Sequence, residues 1–261
     1  MLFYGKYNIL GIQIDACDYD YILCKIDKHF NNKRNKSILI SPMTTHVLTK
    51  AKYDKKIISA LDKFDLLPPD SQWLRYSLNF LYGVNLKDRV YGPELTLRIC
   101  KKFQGLKYRI FLYGTNSNTL QKLKSRLMNL FPNINIIYSY APTKDVFGME
   151  EQQKFLHIIK KSKANLIFVA LGSPKQEVFL YNIFQDINKL KEKIAIIEIG
   201  AAFDFISGVK PQAPKIIGDY GLEWLFRLIH EPRRLWKRYV IDGLIFIALI
   251  LFQKLRFSKR N

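Results

Sequence analysis

Cysteine and histidine are scarce in this chain, and neither type is grouped. The 261 residues include three cysteines, Cys17, Cys24 and Cys100, none in a Cys-x-x-Cys pair, and four scattered histidines. This pattern argues against a disulfide framework and against a zinc site. We therefore expect a protein of a reducing compartment with no bound metal and no other cofactor.

Acidic residues are also in short supply. The chain has 22 Asp and Glu against 42 Lys and Arg, which gives a formal net charge of +20. Such an excess favours a polyanionic partner: a nucleic acid, an anionic membrane or a phosphorylated substrate. Compositional drift is the alternative source of the lysines, since Asn and Ile are abundant too. Because 48% of the residues are apolar, a full core can be buried and disorder is not expected.

The sequence has neither a signal-peptide pattern nor a long apolar run. Residues 1–11 carry scattered polar side chains instead of a basic region followed by an apolar block, so we expect a cytoplasmic protein. The longest apolar run, residues 244–252, is well short of the roughly 20 residues that a membrane span needs. Cations on both sides, including Lys259 and Arg260, favour a helix lying in the membrane interface. A core or oligomer-contact helix is the main alternative.

Strand-like and helix-like stretches alternate up to about residue 213, which predicts an α/β fold: a mostly parallel sheet with helices on both faces. After residue 213 the pattern predicts only two helices, at 215–229 and 233–252. We therefore divide the chain into a core, residues 1–213, and a C-terminal helical appendage, residues 214–261. The predicted strands are residues 7–14, 37–40, 109–113, 134–138, 166–171 and 194–199, and the clearest core helices are 54–64, 71–82, 93–103, 118–130 and 150–161.

Two strand ends carry glycine-containing turns that favour anion binding. In residues 165–177 an apolar run ends at Gly172, and Ser173 and Pro174 then occupy the predicted N-cap and first position of a helix. Free backbone N–H groups at such a helix start attract phosphate. The same residues are also explained by a simple capping box, in which the Gln176 side chain reaches back to Ser173. Gly114 begins a second, weaker turn of this kind.

Several charged residues are candidates for chemistry, each with an ordinary structural alternative. Asp70 follows two prolines at the start of a predicted helix, where it can cap the helix or act as a general base. Arg89, in a loop, can hold phosphate or remain a solvated charge. Asp204 lies between two phenylalanines after the last strand and can bind a nucleotide or be a turn residue.

Residues 221–239 form a cationic segment interleaved with aromatic side chains. Such a segment suits phosphate binding at a membrane surface, and it also suits a nucleic-acid backbone. Its cations are Arg227, Arg233, Arg234, Lys237 and Arg238, and its aromatic residues include Trp224, Trp236 and Tyr239.

Taken in order, these segments resemble the WecG/TagA/CpsF glycosyltransferases. The resemblance runs from about residue 8 to residue 239, and its most specific parts are residues 171–177, 200–204, 213–214 and 221–239. It implies a Rossmann-like core and an inverting enzyme at the cytoplasmic membrane face. Such an enzyme moves a sugar, N-acetylmannosamine or another hexose derivative, from a UDP-sugar onto an undecaprenyl-diphosphate-linked sugar in cell-surface polysaccharide synthesis. The resemblance also implies a peripheral location at the membrane and no nucleic-acid partner. It is compatible with a homo-oligomer.

Residue roles also follow from the resemblance. Asp70 would be the base that deprotonates the acceptor hydroxyl, with Arg89 and Gln176 completing the catalytic set. Asp204 would help to bind the nucleotide, and the appendage cations would hold the lipid diphosphate. The expected substrate-binding residues are Ser41, Gly114, Gly172, Asp204, Arg227, Arg234, Lys237 and Arg238.

The chain departs from the family pattern at two places near the expected sugar site. Where many relatives read Thr-x-Asn-Pro, this chain has Ser41-Pro42-Met43-Thr44, and Met43 cannot replace the hydrogen bonds of an asparagine. Where relatives tend to read Pro-Asp-Gly-x-Gly, the chain has Ser71 after Asp70. These departures keep open a catalytically inactive sugar-nucleotide-binding protein. A nucleic-acid-binding protein is the less favoured alternative.

Overall fold

A five-stranded parallel sheet forms the centre of the molecule, with the strand order β3-β7-β6-β4-β5. The computed structural model describes residues 4–32, 36–142, 145–190 and 192–258. Lys259 and Arg260, named above as flanking cations, lie outside these residues. The strands are β1 (Gly5–Ile9), β2 (Ile12–Ala16), β3 (Ile38–Ile40), β4 (Ile110–Gly114), β5 (Ile136–Tyr140), β6 (Leu166–Ala170) and β7 (Ala195–Glu198).

Helices follow most strands, as the alternating sequence pattern predicts. A π-helical turn, Lys237–Ile241, joins the last two helices into one continuous segment. The helices are α1 (Tyr19–Asn31), α2 (Thr45–Ala51), α3 (Lys55–Leu61), α4 (Gln72–Tyr82), α5 (Gly92–Lys102), α6 (Ser117–Leu130), α7 (Met149–Ser162), α8 (Lys175–Lys189), α9 (Ala202–Ile206), α10 (Lys215–Asp219), α11 (Glu223–His230), α12 (Pro232–Trp236) and α13 (Asp242–Ser258).

Helices cover both faces of the sheet, which confirms the predicted fold class. Phe111 and Tyr113 of β4 pack into one hydrophobic cluster, and Ile110 and Leu112 pack into the other. Side chains of α2, α3, α4, α7, α8 and α13 contribute to the first cluster, and those of α1, α5, α6 and α9 contribute to the second. Since successive strand residues point to opposite faces, every position of such a strand must be apolar.

The prediction of one strand over residues 7–14 is wrong. The segment is a hairpin, in which β1 and β2 pair antiparallel around a two-residue turn at Leu10 and Gly11. Both turn residues have positive φ, 54° and 97°, as this type of tight hairpin requires. Leucine rarely adopts a positive φ, so the turn could not be predicted from the residue types at positions 10 and 11.

The C-terminal helices also differ from the prediction. The single helix expected over 215–229 is interrupted at Gly221, whose φ is +75°, and is divided into α10 and α11. The helix expected over 233–252 begins at Pro232 and continues through the π-helical turn to residue 258. The strand expected at 134–138 lies two residues later, as β5.

Helix α13 has one buried and one exposed apolar side. Phe246 and Ile250 are buried against the cluster that contains α2, while Leu244, Leu251 and Phe252 are exposed. The Asp242 carboxylate, at the start of α13, pairs with His46 of α2 at 2.6 Å. Within the described residues, no helix has the length and apolarity that crossing a bilayer requires.

Candidate active site

A cleft of about 290 Å³ opens at the carboxyl edge of the sheet. The loops after β6 and β7 form one wall, with Gly172 and Gln176 on the β6 side and Asp204 on the β7 side. Asp70 and the arginines Arg227, Arg234 and Arg238 from the C-terminal segment also line the cleft. Ligands of parallel α/β sheets bind at this edge, so the fold alone places the cleft where a substrate is expected.

A second cavity, of about 70 Å³, adjoins the cleft. Asp70, Tyr91, Arg227 and Arg238 line both spaces, so these residues mark the junction between them. Arg89 lines only the second cavity. A site with two adjoining chambers and one carboxyl group at their junction suits a reaction between two bound substrates.

Asp70 is held by the backbone around it and does not cap α4. Its N–H donates to the Met43 carbonyl at 2.8 Å, and the Gly92 N–H donates to Asp70 Oδ1 at 3.3 Å. The α4 cap is Ser71, whose hydroxyl accepts from the Leu74 N–H at 3.3 Å. The Asp70 carboxylate is therefore available to the cavities. The capping alternative for Asp70 is thus wrong.

The environment of Asp70 suits proton transfer near neutral pH. Burial raises the pKa of Asp70 to about 6, against the opposing effects of Arg89 and Arg227. Glu223 adds to the rise because its negative charge lies nearby. A carboxylate with such a pKa is ionised at pH 7 and is a stronger base than an ordinary aspartate.

Arg89 is paired with an acidic residue that the sequence analysis did not single out. Its guanidinium forms an ion pair with the Glu223 carboxylate and lies over the Tyr91 ring, 4.4 Å from the centroid. Arg227 Nη1 lies 3.7 Å from the other Glu223 oxygen. Glu223 therefore ties the start of α11 to the loop that carries Arg89. The available signal was an isolated acid four residues before Arg227 in a basic segment.

Arg227 and Arg238 bring two positive charges to the junction, and Arg227 shares its charge with Glu223. Both side chains are partly enclosed, and the Nε of each is buried without a hydrogen-bond partner among the described residues. Burial lowers the pKa of the Arg238 guanidinium, and the neighbouring Arg227 charge lowers it further. Two adjacent cations with free donors form a natural binding site for a diphosphate.

The other predicted cations are placed differently. Arg234 lines the cleft but pairs with Glu231 at 2.5 Å. Lys210, which the sequence analysis missed, bridges Glu231 at 3.3 Å and Asp204 at 3.2 Å. Lys237 is exposed and lines neither the cleft nor the second cavity.

The turn after β6 lines the cleft but is not a capping box. Helix α8 begins at Lys175, one residue later than predicted, and no side chain caps it. The Gln176 amide donates to the Ser173 hydroxyl at 3.3 Å, not to the Ser173 backbone. Gly172 has a φ of +78°, which explains why a glycine turns the chain there.

Two predicted binding residues lie behind the cleft wall. Ser41 is fully buried and donates its hydroxyl hydrogen to Glu198 Oε2 at 2.5 Å. Gly114 ends β4, and the adjacent Thr115 lines the cleft in its place. Thr115 donates to Asp204 Oδ1 at 3.0 Å, so the nucleotide-binding candidate Asp204 is fixed from both sides, by Thr115 and Lys210.

Gly114→Ala is expected to destabilise the fold severely. Gly114 has a φ of +127°, and a Cβ there would lie 2.4 Å from the Ala170 carbonyl oxygen of β6. We expect the free energy of unfolding to fall by more than about 3 kcal/mol in urea denaturation, because backbone strain adds to a clash that rigid backbone cannot relieve. Gly105→Ala, with a φ of +114° in open space, is the matched control and should cost only about 1 kcal/mol. Equal losses in the two variants would show that close strand packing at Gly114 is unimportant.

A parallel α/β sheet, a cleft at its carboxyl edge and arginines beside a carboxyl group with a raised pKa suit a group-transfer enzyme for phosphate-bearing substrates. Residues 7–260 match the model of the "Glycosyl transferase WecG/TagA/CpsF family", and the chain belongs to this family of glycosyltransferases. Among the described residues, no group of three His, Cys, Asp or Glu side chains is arranged to hold a metal ion.

Two curated relatives carry the same name, N-acetylglucosaminyldiphosphoundecaprenol N-acetyl-beta-D-mannosaminyltransferase. The protein of Bacillus subtilis (strain 168) is 28% identical over 214 residues, covering 82% of this chain and 78% of the relative. The protein of Bacillus spizizenii (strain ATCC 23059 / NRRL B-14472 / W23) is 28% identical over 206 residues, covering 78% and 76%. The predicted family and enzyme class are therefore confirmed.

Proposed function

We propose that this glycosyltransferase moves a sugar, N-acetylmannosamine or a related hexose derivative, from a UDP-sugar to an undecaprenyl-diphosphate-linked sugar. The names of the two relatives support the acceptor class and the transferred sugar. The observation that carries the proposal is the position of Asp70 at the junction of the two chambers, next to Arg227 and Arg238. The product would enter cell-surface polysaccharide synthesis.

The two chambers divide the substrates between them. The larger cleft, beside the β6 and β7 turns and Asp204, takes the sugar nucleotide. The acceptor sugar approaches Asp70 from the side of the second cavity, where Arg89 pairs with Glu223. Asp70 removes the proton of the acceptor hydroxyl, and the oxygen attacks the anomeric carbon of the donor as the bond to UDP breaks. Arg227 and Arg238 offset the charge of the diphosphates, and this fixed charge lowers the barrier most where negative charge develops.

An apolar space of about 220 Å³ continues from the second cavity toward α13. Trp73, Trp224 and Tyr239 line both spaces, while Leu244 and Ile247 line only the apolar one. A diphosphate held at Arg238 would therefore have an apolar path for the first units of its polyprenyl chain. Because the cation Arg238 lies next to the apolar groove, the site favours a lipid-linked acceptor. A nucleic acid has no long apolar chain that would fill the groove.

The proposed activity is tested by supplying the protein with UDP-sugars and lipid acceptors extracted from membranes. We expect UDP release only when a polyprenyl-diphosphate-linked sugar is present, with a product heavier by one sugar in mass spectrometry. Tight UDP binding without transfer to any acceptor would favour the inactive sugar-nucleotide-binding alternative. Salt-dependent binding to DNA with no UDP release would contradict the proposal.

We propose further that the segment after residue 213 is the membrane-facing part of the enzyme. The outer side of α13 exposes Leu244 and Leu251, and cations such as Lys254 and Arg256 follow. Apolar side chains beside cations suit a surface of anionic lipid. Because the other side of α13 packs on the core, this helix would lie along the membrane and carry the cleft to its lipid substrate.

Replacing Leu244 and Leu251 with glutamate is expected to weaken membrane binding strongly. The double variant should bind vesicles containing phosphatidylglycerol at least tenfold more weakly in co-sedimentation, because each buried leucine contributes about 1.5–3 kcal/mol. Leu106→Glu is the matched control, since Leu106 is 86% exposed in the loop before β4, and should bind like the unchanged protein. Equal binding by all three proteins would refute the membrane-facing assignment.

A further inference from the structure

Three polar contacts hold the start of α13 on α2. The Asp242 carboxylate bonds to His46 Nδ1 at 2.6 Å and lies 3.5 Å from Lys50 Nζ. The Thr49 hydroxyl donates to the Asp242 backbone carbonyl at 3.3 Å. Because His46, Thr49 and Lys50 are spaced three and four residues apart, they share one face of α2. Asp242 is only 7% exposed, and a buried carboxylate is stable only when such partners surround it.

The contact between His46 and Asp242 is a hydrogen bond with a defined direction. Burial and, next to it, the charge of Arg238 lower the pKa of His46 to about 4, against the effect of Asp242. The imidazole is therefore neutral at pH 7. Since a carboxylate only accepts, Nδ1 carries the hydrogen and donates it to Asp242. An asparagine at position 242 could accept the same bond through its amide oxygen.

Asp242 also ends the π-helical turn that carries Arg238. Its backbone N–H donates to the Lys237 carbonyl, five residues earlier, and so closes the turn Lys237–Ile241. Arg238 is the second residue of this turn. A displacement of Asp242 would therefore move the backbone from which the Arg238 guanidinium reaches the junction of the two cavities.

The segment that holds Asp242 also supports Asp70. The Met43 carbonyl accepts from the Asp70 N–H at 2.8 Å, and α2 begins two residues later, at Thr45. Asp70 and Arg238 both line the junction of the two cavities. Residues 43–50 thus hold the carboxylate through one contact and the turn that carries the cation through others. This segment fixes the position of Arg238 relative to Asp70.

We infer that Asp242 and His46 are positioning residues, which hold Arg238 in place for the diphosphate of the lipid acceptor. The inference rests on the proposed function, because that function gives Arg238 its ligand. Asp242 lines neither cavity, so it acts through Arg238 and not by contact with a substrate. His46 borders the second cavity, which makes Asp242 the better residue to change.

Charge alone would give the opposite effect to positioning. A negative charge close to a diphosphate weakens its binding, so removal of the Asp242 charge by itself would strengthen the binding of the lipid acceptor. Removal of a group that positions Arg238 would weaken it. The sign of the change in affinity therefore separates the two roles of Asp242.

Asp242→Ala tests the inference through the KM for a short-chain polyprenyl-diphospho-sugar. We expect this KM to rise about tenfold with kcat changed less than about twofold, because the displaced group binds the substrate and takes no part in proton transfer. Asp242→Asn, which can still accept from His46, should return the KM to within about threefold of that of the unchanged protein.

Gln253→Ala is the matched control on the same helix. Gln253 holds the far part of α13 on the β1–β2 hairpin, where it accepts from the Leu10 N–H at 3.0 Å and donates to the Asn8 carbonyl at 2.7 Å. This variant should leave the KM unchanged. An equal rise in KM for Gln253→Ala and Asp242→Ala would overturn the inference, because any loosening of α13 would then have the same effect.

A double variant shows whether Asp242 acts through Arg238. In the Arg238→Ala background, Asp242→Ala should raise the KM no further, since no guanidinium is left to be positioned. The same rise in both backgrounds, or no rise for Asp242→Ala alone, would overturn the inference. Melting curves establish that each variant is folded. If Asp242→Ala does not fold, His46→Ala takes its place in the cycle, because it removes the same hydrogen bond.

Failure of the inference can be told apart from failure of the proposed function. If the unchanged protein transfers no sugar to the lipid acceptor, the proposed function fails and the inference falls with it. If Arg238→Ala leaves the KM unchanged, the diphosphate site at Arg238 and the inference both fail. If Arg238→Ala raises the KM and Asp242→Ala does not, the inference alone fails.

Discussion

Asp70→Asn is expected to lower the rate of sugar transfer by about 10²–10⁴-fold, the usual contribution of a general base. Asparagine keeps the size of the side chain and can still accept from the Gly92 N–H, so the cleft should keep its shape. It cannot take the proton of the acceptor hydroxyl. The loss should therefore appear in kcat, with little change in the binding of UDP-sugar.

The pH dependence of transfer provides a second test of the same residue. Because burial raises the pKa of Asp70 to about 6, the rate of the unchanged protein should rise from pH 5 to pH 7 as the base ionises. Asp186→Asn, on the exposed part of α8, is the matched control and should retain full activity. Full activity of Asp70→Asn, or a rate that does not change between pH 5 and pH 7, would show that Asp70 is not the base.

Arg238→Ala is expected to weaken the binding of the lipid acceptor by about 30-fold or more. Removal of an enclosed cation from its anionic ligand typically costs about 2–5 kcal/mol. Arg238 forms no ion pair among the described residues and lies beside Arg227, so the change should not lower the free energy of unfolding. A large loss of affinity with unchanged stability would identify the residue as part of the binding site.

Arg233→Ala is the control for this prediction. Arg233 lies five residues earlier, is exposed and lines neither chamber, so its loss should change acceptor affinity by less than about threefold. The measurement is the KM for a short-chain polyprenyl-diphospho-sugar at fixed salt. If both variants weaken binding equally, the effect reflects the general charge of the segment and not a diphosphate site at Arg238.

The fold was largely predictable because its determinants are local. In β4 and β6 each residue is apolar and each strand is followed by a helix, which is enough to predict a covered parallel sheet. The errors arose where one backbone angle decides the structure. Leu10 adopts a positive φ in the hairpin turn, which a leucine does not lead one to expect. Gly221 ends one helix before another begins, although the helical spacing of apolar residues continues across it.

The site was predictable only in part. Asp70, Gln176 and Arg227 were named because each belongs to a motif, and they do line one continuous site. Glu223 and Glu198 were not named, because their importance comes from partners 134 and 157 residues away in the sequence. The spacing of Glu223 from Arg227 is a local signal, but the long-range pairs of Glu223 with Arg89 and of Glu198 with Ser41 are formed only in the folded structure.

The most direct test of the central claim is a crystal structure of the protein with UDP and a short-chain polyprenyl-diphospho-sugar. We predict an acceptor hydroxyl within about 3 Å of the Asp70 carboxylate, the distance that proton transfer requires. The lipid diphosphate should contact Arg227 and Arg238. An acceptor sugar bound out of reach of Asp70, with its diphosphate on other cations, would contradict the account.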